Sequence, residues 1–387
     1  MQRVRLFATT LLTVTAMAVG MLPLFALSLL GPSIREDLDV SSAMFGALSS
    51  VLFLAGALVS RFAGRLVDLA GTTVGFTVLY GTAITSWLLL AAAAHPAQAF
   101  AGLALGGVAL ALSVPSVTRL LFGVFRDRAL GVAIGTAHAG TQVGGVVLGA
   151  LMPIMTATFG WRSSLRMCVL VPAIGLILTF AMVKPKARPV APRLPQPIWP
   201  EQAVAPRAHY LPRLGMFALL TNGVATAGTL YLITFAHEAV GVTLVVTGLM
   251  MSVMALSSIV GKVLWGAAAA SPGGKRTLNL LVVTSCAAVV ILASATMTGT
   301  VALWLGAVLF GATATTWAVP ATRLAGIIGG PRNAGKSTGW VMVAGYLGGA
   351  VGPPLYGQVI DIGGFPSAWA SLLLMLALAG LVVRRLT

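Results

Sequence analysis

Apolar runs of roughly twenty residues follow one another along the whole chain, and Lys and Arg punctuate them. Charged residues make up 8% of the 387 positions and hydrophobic ones 58%, and mean hydropathy is +0.98. A water-soluble domain carries about 25% charged residues. This chain lacks the side chains to cover a water-facing surface, so lipid is the solvent it suits. Lipid leaves no partner for a free peptide group, which restricts spanning segments to helices and closed barrels. The runs are uniformly apolar and lack the period of two that barrel strands show. Each is therefore read as a helix of about 20 residues. Twelve are expected, near 7–30, 42–64, 72–94, 97–123, 129–157, 163–183, 214–236, 243–269, 276–298, 300–326, 334–359 and 365–383.

The charges between the runs predict an orientation. Arg3, Arg5, Arg61, Arg65, Arg126, Arg128, Lys184, Lys186, Arg188, Arg193, Arg207, Arg213, Lys275, Arg276, Arg332, Lys336, Arg384 and Arg385 fall on one side if the spans alternate. The other side holds Arg35, Arg162 and Arg166 with Glu36, Asp37, Asp39, Glu238 and Asp361. Basic loops stay inside, so a multi-pass protein of the cytoplasmic (inner) membrane with both termini cytoplasmic is expected. The net charge of +16 is then topological. Nucleic-acid binding is excluded as a reading, because the cations are scattered over separate loops instead of gathered on one module. Arg3 and Arg5 before an apolar run resemble a signal peptide. The run is too long for that, and it is read as a retained first helix. Cys168 and Cys286 lie inside spans six and nine and are read as packing residues, with no disulfide.

The chain repeats itself at an offset of about 200 residues. Val114-Pro115-Ser116-Val117-Thr118-Arg119-Leu120 ends span four, and Val319-Pro320-Ala321-Thr322-Arg323-Leu324 ends span ten. Arg61 before Gly64 has its counterpart in Lys262 before Gly266. This predicts an all-α membrane protein of twelve helices in two pseudosymmetric six-helix bundles, residues 1–183 and 214–387. Residues 184–213 hold eight prolines and six basic residues and read as an extended cytoplasmic linker. Gly140, Gly144, Gly145 and Gly149 in span five, echoed by Gly345, Gly348, Gly349 and Gly352 in span eleven, allow close helix approach. Two readings stand for this stripe: ordinary helix packing, or a sliding seam between the halves.

Gly64-Arg65-Leu66-Val67-Asp68-Leu69-Ala70-Gly71 resembles the loop signature Gly-x-x-x-Asp-x-x-Gly of the major facilitator superfamily, and it sits between spans two and three as it does there. Gly160-Trp161-Arg162 and the twelve-span plan agree. In the second half Ala270 stands at the Asp position. The resemblance implies the major facilitator fold and alternating access, with Gly64, Arg65, Asp68, Gly71 and Arg61 as gating residues. Arg128-Ala129-Leu130-Gly131-Val132-Ala133, Gly160-Trp161-Arg162 and Gly261-Lys262 before Gly266 are similar to the monocarboxylate and oxalate–formate-type carriers. In those carriers a cation in span eight contacts the substrate carboxylate, which implies that role for Lys262. Their second cation in span eleven has no match, since residues 340–357 contain no Lys or Arg. A monoanion is favoured over a dicarboxylate.

An ionisable side chain at the centre of a span costs at least ~2.5 kcal/mol, so each is a functional candidate. Lys262 is the first, with snorkelling to the interface as the plain reading. His138, near Gln142 in span five, titrates near neutral pH and is a candidate proton relay, against a satisfied core histidine. Arg119 and Arg323 are expected to reach headgroups or interhelical carbonyls. His237 and Glu238 end span seven and read as interfacial. Spans one, four, seven and ten line the cavity in the family, which implies Thr13, Phe25, Thr221, Asn222, Tyr231, Thr316 and Trp317 as lining residues. The expected substrate-binding set is Lys262, Asn222, Tyr231, Trp317, His138 and Gln142. Gly330-Pro331-Arg332-Asn333-Ala334-Gly335-Lys336-Ser337 satisfies the phosphate-loop pattern, but that mechanism requires a preceding strand. No enzyme activity, cofactor or metal is expected.

The expected function is secondary transport of a small organic anion by proton symport or exchange, as a monomer in the bilayer with the solute and H+ as partners. Efflux of drugs or metabolites on the same fold is the alternative. A non-transporting sensor or scaffold is a third reading, without an output domain to support it.

Overall fold

The computed structural model describes residues 2–125, 127–183, 210–270 and 274–385, and side chains within these except at 2–5, 61, 127, 128, 131, 270, 274, 275 and 330–335. Most of the expected linker and the side chain of Arg61 lie outside the described residues. Everything regular among the described residues is helical: α1 (Gln2–Leu38), α2 (Ser42–Ala70), α3 (Thr72–Ala91), α4 (Pro96–Val124), α5 (Asp127–Cys168), α6 (Leu170–Met182), α7 (Leu211–Thr234), α8 (Leu244–Ala270), α9 (Gly274–Thr298), α10 (Thr300–Ala312) and α11 (Ala318–Arg384). Ten stretches among the described residues are long and apolar enough to cross a membrane, and two of them, Val132–Met182 and Lys336–Arg384, run to 51 and 49 residues. About 30 Å of hydrocarbon takes some 20 helical residues, so each of these holds two crossings. The expected twelve spans are accommodated in this way.

The joints between spans follow from backbone sterics. Gly160, at φ 77° and ψ 160°, breaks α5 between spans five and six. Gly364, at φ 69°, turns α11 between spans eleven and twelve. A side chain is rarely tolerated at such angles. Asp39 takes φ 47° between α1 and α2, the one described non-glycine residue in that region. Aspartate is among the few residues that adopt it without severe strain. Hydrophobic patterning predicts that span one ends near residue 30. The helix in fact runs to Leu38 through Pro32, so Arg35, Glu36 and Asp37 form its last turn instead of a loop.

By backbone proximity the chain divides into two units. The first comprises Met1–Leu38 and Val51–Gln196, the second Asp39–Ser50 and Pro197–Thr387. In the first, α1 lies against α4 and α5, and α3 against α4 and α6. In the second, α11 lies against α7 and α9, and α10 against α8 and α9. The leading helix is central in each: 83% of the spanning window is buried in both α1 and α7, against 28–61% in the other windows.

Close glycine contacts repeat between the units. A Cβ at Gly140 would strike the Val14 carbonyl of α1, and one at Gly348 would strike the Leu219 carbonyl of α7. Gly107 meets Leu52 O in the first unit as Gly311 meets Met254 O in the second. The half-repeat is therefore visible in which helices touch backbone to backbone. It also bears on the glycine stripe: Gly140 and Gly144 contact α1, and Gly348 and Gly352 contact α7, each inside its own unit. Ordinary helix packing accounts for these four.

Candidate functional site

The signature loop owes its shape to its second glycine. Gly71, at φ 94° and ψ 169°, precedes α3, and its N–H donates to Val67 O at 3.0 Å. No L side chain sits easily there. Gly64 has nothing within 4 Å of a built Cβ, so packing does not demand glycine at that position. Arg65 is exposed. Asp68 stands 3.6 Å from Arg119 of α4, with its side chain 81% exposed against 17% for Arg119. Arg119 Nη1 also donates to Val67 O. The expectation that Arg119 reaches an interhelical carbonyl agrees with this contact. An exposed ion pair is worth about 0–1 kcal/mol, whereas a part-buried guanidinium on a carbonyl ties two helix ends. Asp68→Asn is expected to shift stability by no more than about 1 kcal/mol and Arg119→Ala by clearly more, in thermal unfolding of the purified protein.

At the opposite end of the first unit, Gly160-Trp161-Arg162 forms a clasp. The break at Gly160 lets the chain turn, and Trp161 is 7% exposed. The Arg162 guanidinium lies 4.2 Å from the Trp161 ring centroid. It pairs with Asp37 at the end of α1 and donates to Ala93 O after α3 at 2.8 Å. One side chain thus ties three inter-helix junctions, a role that the orientation argument alone did not reveal.

The second unit holds a polar centre around an interruption in span ten. α10 stops at Ala312, Thr313 takes φ −122° and ψ −74°, a tight turn covers Ala314–Thr316, and the helix resumes at Ala318. The cause is legible in Thr313-Ala314-Thr315-Thr316. Their hydroxyls bond back to Leu309 O at 2.7 Å, Gly311 O at 2.8 Å and Thr313 O at 2.6 Å. Such bonds compete with the helix's own amides. Neighbouring helices satisfy the disturbed segment. Trp265 Nε1 of α8 donates to Ala312 O at 2.8 Å, and Ser258 Oγ lies 2.7 Å from Thr315 Oγ1. Gly261 lets α8 meet the Ala312 backbone directly. Irregular backbone at membrane depth is tolerated where protein or a cavity receives it. Lys262 follows Gly261 on this helix and is half-buried.

Asn222 of α7 joins the same centre. Its Oδ1 accepts from Trp317 Nε1 at 2.9 Å, and its Nδ2 donates to Gly345 O at 2.8 Å. Both ends of the amide are therefore engaged, and Asn222 and Trp317 are 8% and 5% exposed. Sequence reasoning named both residues but not the bond between them. Tyr231 sits nine residues further along α7, about 13 Å at 1.5 Å per residue, and donates to Ser42 O. His138 is exposed and Gln142 is 8% exposed, both in the first unit. The expected substrate-binding set thus splits: Asn222 and Trp317 touch, Lys262 lies on the helix stitched to the same interruption, and Tyr231 belongs to another level. In the first unit Thr10, Phe125, Ala129, Val132, Ala133 and Thr136 line a cleft of about 440 Å³. Cys168 and Cys286 are free thiols. No described group of three or more His, Cys, Asp or Glu residues could hold a metal.

Two helical units with matched packing contacts, a Gly-x-x-x-Asp-x-x-Gly loop and an interrupted span ten define a polytopic membrane protein built as a duplicated bundle. The family model of the Major Facilitator Superfamily matches residues 7–353, and the chain belongs to that superfamily. The hexuronate transporter of Bacillus subtilis (strain 168) is 24% identical over 165 residues, covering 42% of this chain and 38% of that one. The galacturonate transporter of Dickeya chrysanthemi is 24% identical over 148 residues, 37% and 42% of the two chains. The 4-hydroxybenzoate transporter PcaK of Pseudomonas aeruginosa is 23% identical over 225 residues, 54% and 50%. The chain thus aligns with half or less of the length of these curated relatives. The fold matches the crystal structure of the nucleoside transporter NupG, with TM-score 0.77, 14% identity and 98% of both chains covered. A bacterial homologue of the human lysosomal transporter Spinster, solved inward-facing and occupied, gives TM-score 0.73 and 15% identity over 100% of this chain and 96% of that one.

Proposed function

We propose that this protein is a secondary carrier that moves a small organic monoanion across the cytoplasmic membrane by alternating access, coupled to protons or to exchange. The supporting observation is the chemistry shared by the three relatives. Hexuronate, galacturonate and 4-hydroxybenzoate each present one carboxylate on a small polar or aromatic body. Lys262, half-buried on α8 beside the interruption in span ten, is the proposed partner of that carboxylate. The similarity of span eight to the monocarboxylate and oxalate–formate-type carriers agrees with this assignment. The hydrogen-bonded Asn222–Trp317 pair beside the same interruption is proposed to contribute to the solute site. Both termini are proposed to be cytoplasmic on the strength of the basic loops, with the monomer as the working unit.

The test is uptake by proteoliposomes of the full-length protein, using radiolabelled galacturonate and 4-hydroxybenzoate with uncharged galactose and a cationic drug as comparators, with and without an imposed proton gradient. Saturable uptake of one carboxylate but of neither comparator is expected. Flux of the cation alone would replace this reading with drug efflux, and no flux of any solute would remove the carrier reading.

A further inference from the structure

The start of α2 is held by residues of the second unit. Helix α2 begins at Ser42, and the amides of Ser42, Ala43 and Met44 in its first turn have no helical partner. The nearby sequence supplies one acceptor: Met44 N–H donates to Ser41 Oγ at 3.2 Å, while Phe45 N–H makes the first helical bond, to Ser41 O at 2.9 Å. Ser41 is thus an ordinary helix cap. The remaining two amides go to a residue 318–319 positions away. Ser42 N–H donates to Asp361 Oδ1 at 3.0 Å and Ala43 N–H to Asp361 Oδ2 at 2.8 Å. Both carboxylate oxygens are committed, at the positive end of the helix dipole.

Other contacts surround this turn. Tyr231 donates its hydroxyl to Ser42 O, and Ser50 donates to Ala350 O. Phe45 meets Tyr231 edge to face at 5.7 Å, and both are fully buried. A Cβ at Gly357 would collide with Ser42 O and the Tyr231 hydroxyl, and one at Gly46 would come within 2.5 Å of Pro353 O. Residues Asp39–Ser50 accordingly group with the second unit, while α2 from Val51 onward groups with the first. The first turn of α2 is fastened by these polar contacts together with the buried Phe45–Tyr231 pair and the close approach of Gly46 to Pro353.

We propose that Asp361 is a gating residue. Its carboxylate latches the first turn of α2, and releasing that turn is a step of the transport cycle. This rests on the alternating-access reading above, but its test does not need a substrate. In purified full-length protein lacking Cys168 and Cys286 (C168A, C286A), Ser42→Cys places a thiol in the latch, where Ser42 is 1% exposed. Modification by a soluble maleimide in detergent then reports how often the turn is free. Loss of one bond to a charged group corresponds to about a tenfold shift in such an equilibrium. Asp361→Asn, which keeps the shape and loses the charge, is expected to speed labelling about tenfold, and Asp361→Ala more. Ala288→Cys, fully buried in α9, serves as the control and is expected to label at one rate in all three backgrounds. Equal labelling of Ser42→Cys with and without the Asp361 substitutions would overturn the latch, as would an equal rise at Ala288→Cys. If Asp361→Ala fails to fold, the Asp361→Asn comparison decides alone. Absence of uptake in the proteoliposome assay would remove the carrier reading and leave the labelling result standing.

Discussion

Lys262→Ala is expected to abolish uptake of the carboxylate substrate while the protein inserts and melts as before. The two halves of this result have separate physical reasons. A lysine in a membrane span is costly, by about 2.5–3.5 kcal/mol near the centre, so removing it does not weaken insertion. Lys262 is half-buried on α8, next to the glycine that packs on Ala312. Truncating one partner of a desolvated charge pair costs about 2–5 kcal/mol, which is roughly 30- to several-thousand-fold in affinity. Lys262→Arg keeps the charge but alters the donor geometry, and partial uptake with a raised KM is expected. The measurement is initial uptake in proteoliposomes, paired with thermal unfolding of each variant. Wild-type uptake by Lys262→Ala would discard the assignment of this residue. Loss of uptake together with a large fall in melting temperature would reassign it to the fold.

Gly348→Val is expected to have the largest effect on stability of any single substitution considered. Gly348 brings α11 against α7 so closely that even a methyl group would strike the Leu219 carbonyl. That obstacle is backbone in the middle of a helix, which cannot rotate aside as a side chain does. Overpacking a close-packed interior costs typically 1–3 kcal/mol and occasionally more. Here the whole α7–α11 contact must open, and with it the Asn222–Gly345 bond one turn away. Thermal unfolding should show a lowered midpoint, and gel filtration should show aggregated material. Gly64→Ala is the matched control, since nothing lies within 4 Å of a Cβ there. A Gly348→Val protein as stable as the Gly64→Ala protein would show that the two helices separate more easily than the packing implies.

The membrane class, the spans and the duplication were legible because they depend on hydrophobic patterning, which a sequence displays directly. Span ends were less so: span one runs on through Pro32 to Leu38, because a helix end depends on what its final turn meets. Asp37 finds Arg162, which keeps that turn in place. At the candidate site, Asn222 and Trp317 were identifiable singly as polar and aromatic residues in apolar helices, but the bond linking them depends on how two helices are rotated. The interruption at Thr313 did leave a sign, in three threonines within four residues, and hydroxyl competition with backbone amides would have predicted it. Asp361 left none. In the sequence it is an isolated acid near the end of span eleven, and only the fold brings it to Ser42.

The Arg162 clasp carries a consequence for biogenesis. Its acceptor Ala93 O lies 69 residues earlier in the chain, and Asp37 earlier still. At synthesis rates of about 5–20 residues per second, the hairpins it joins wait roughly 3–14 s in the bilayer before the arginine emerges. Until then the clasp cannot form, and a nascent chain stalled before span six is expected to be more susceptible to membrane quality-control proteases.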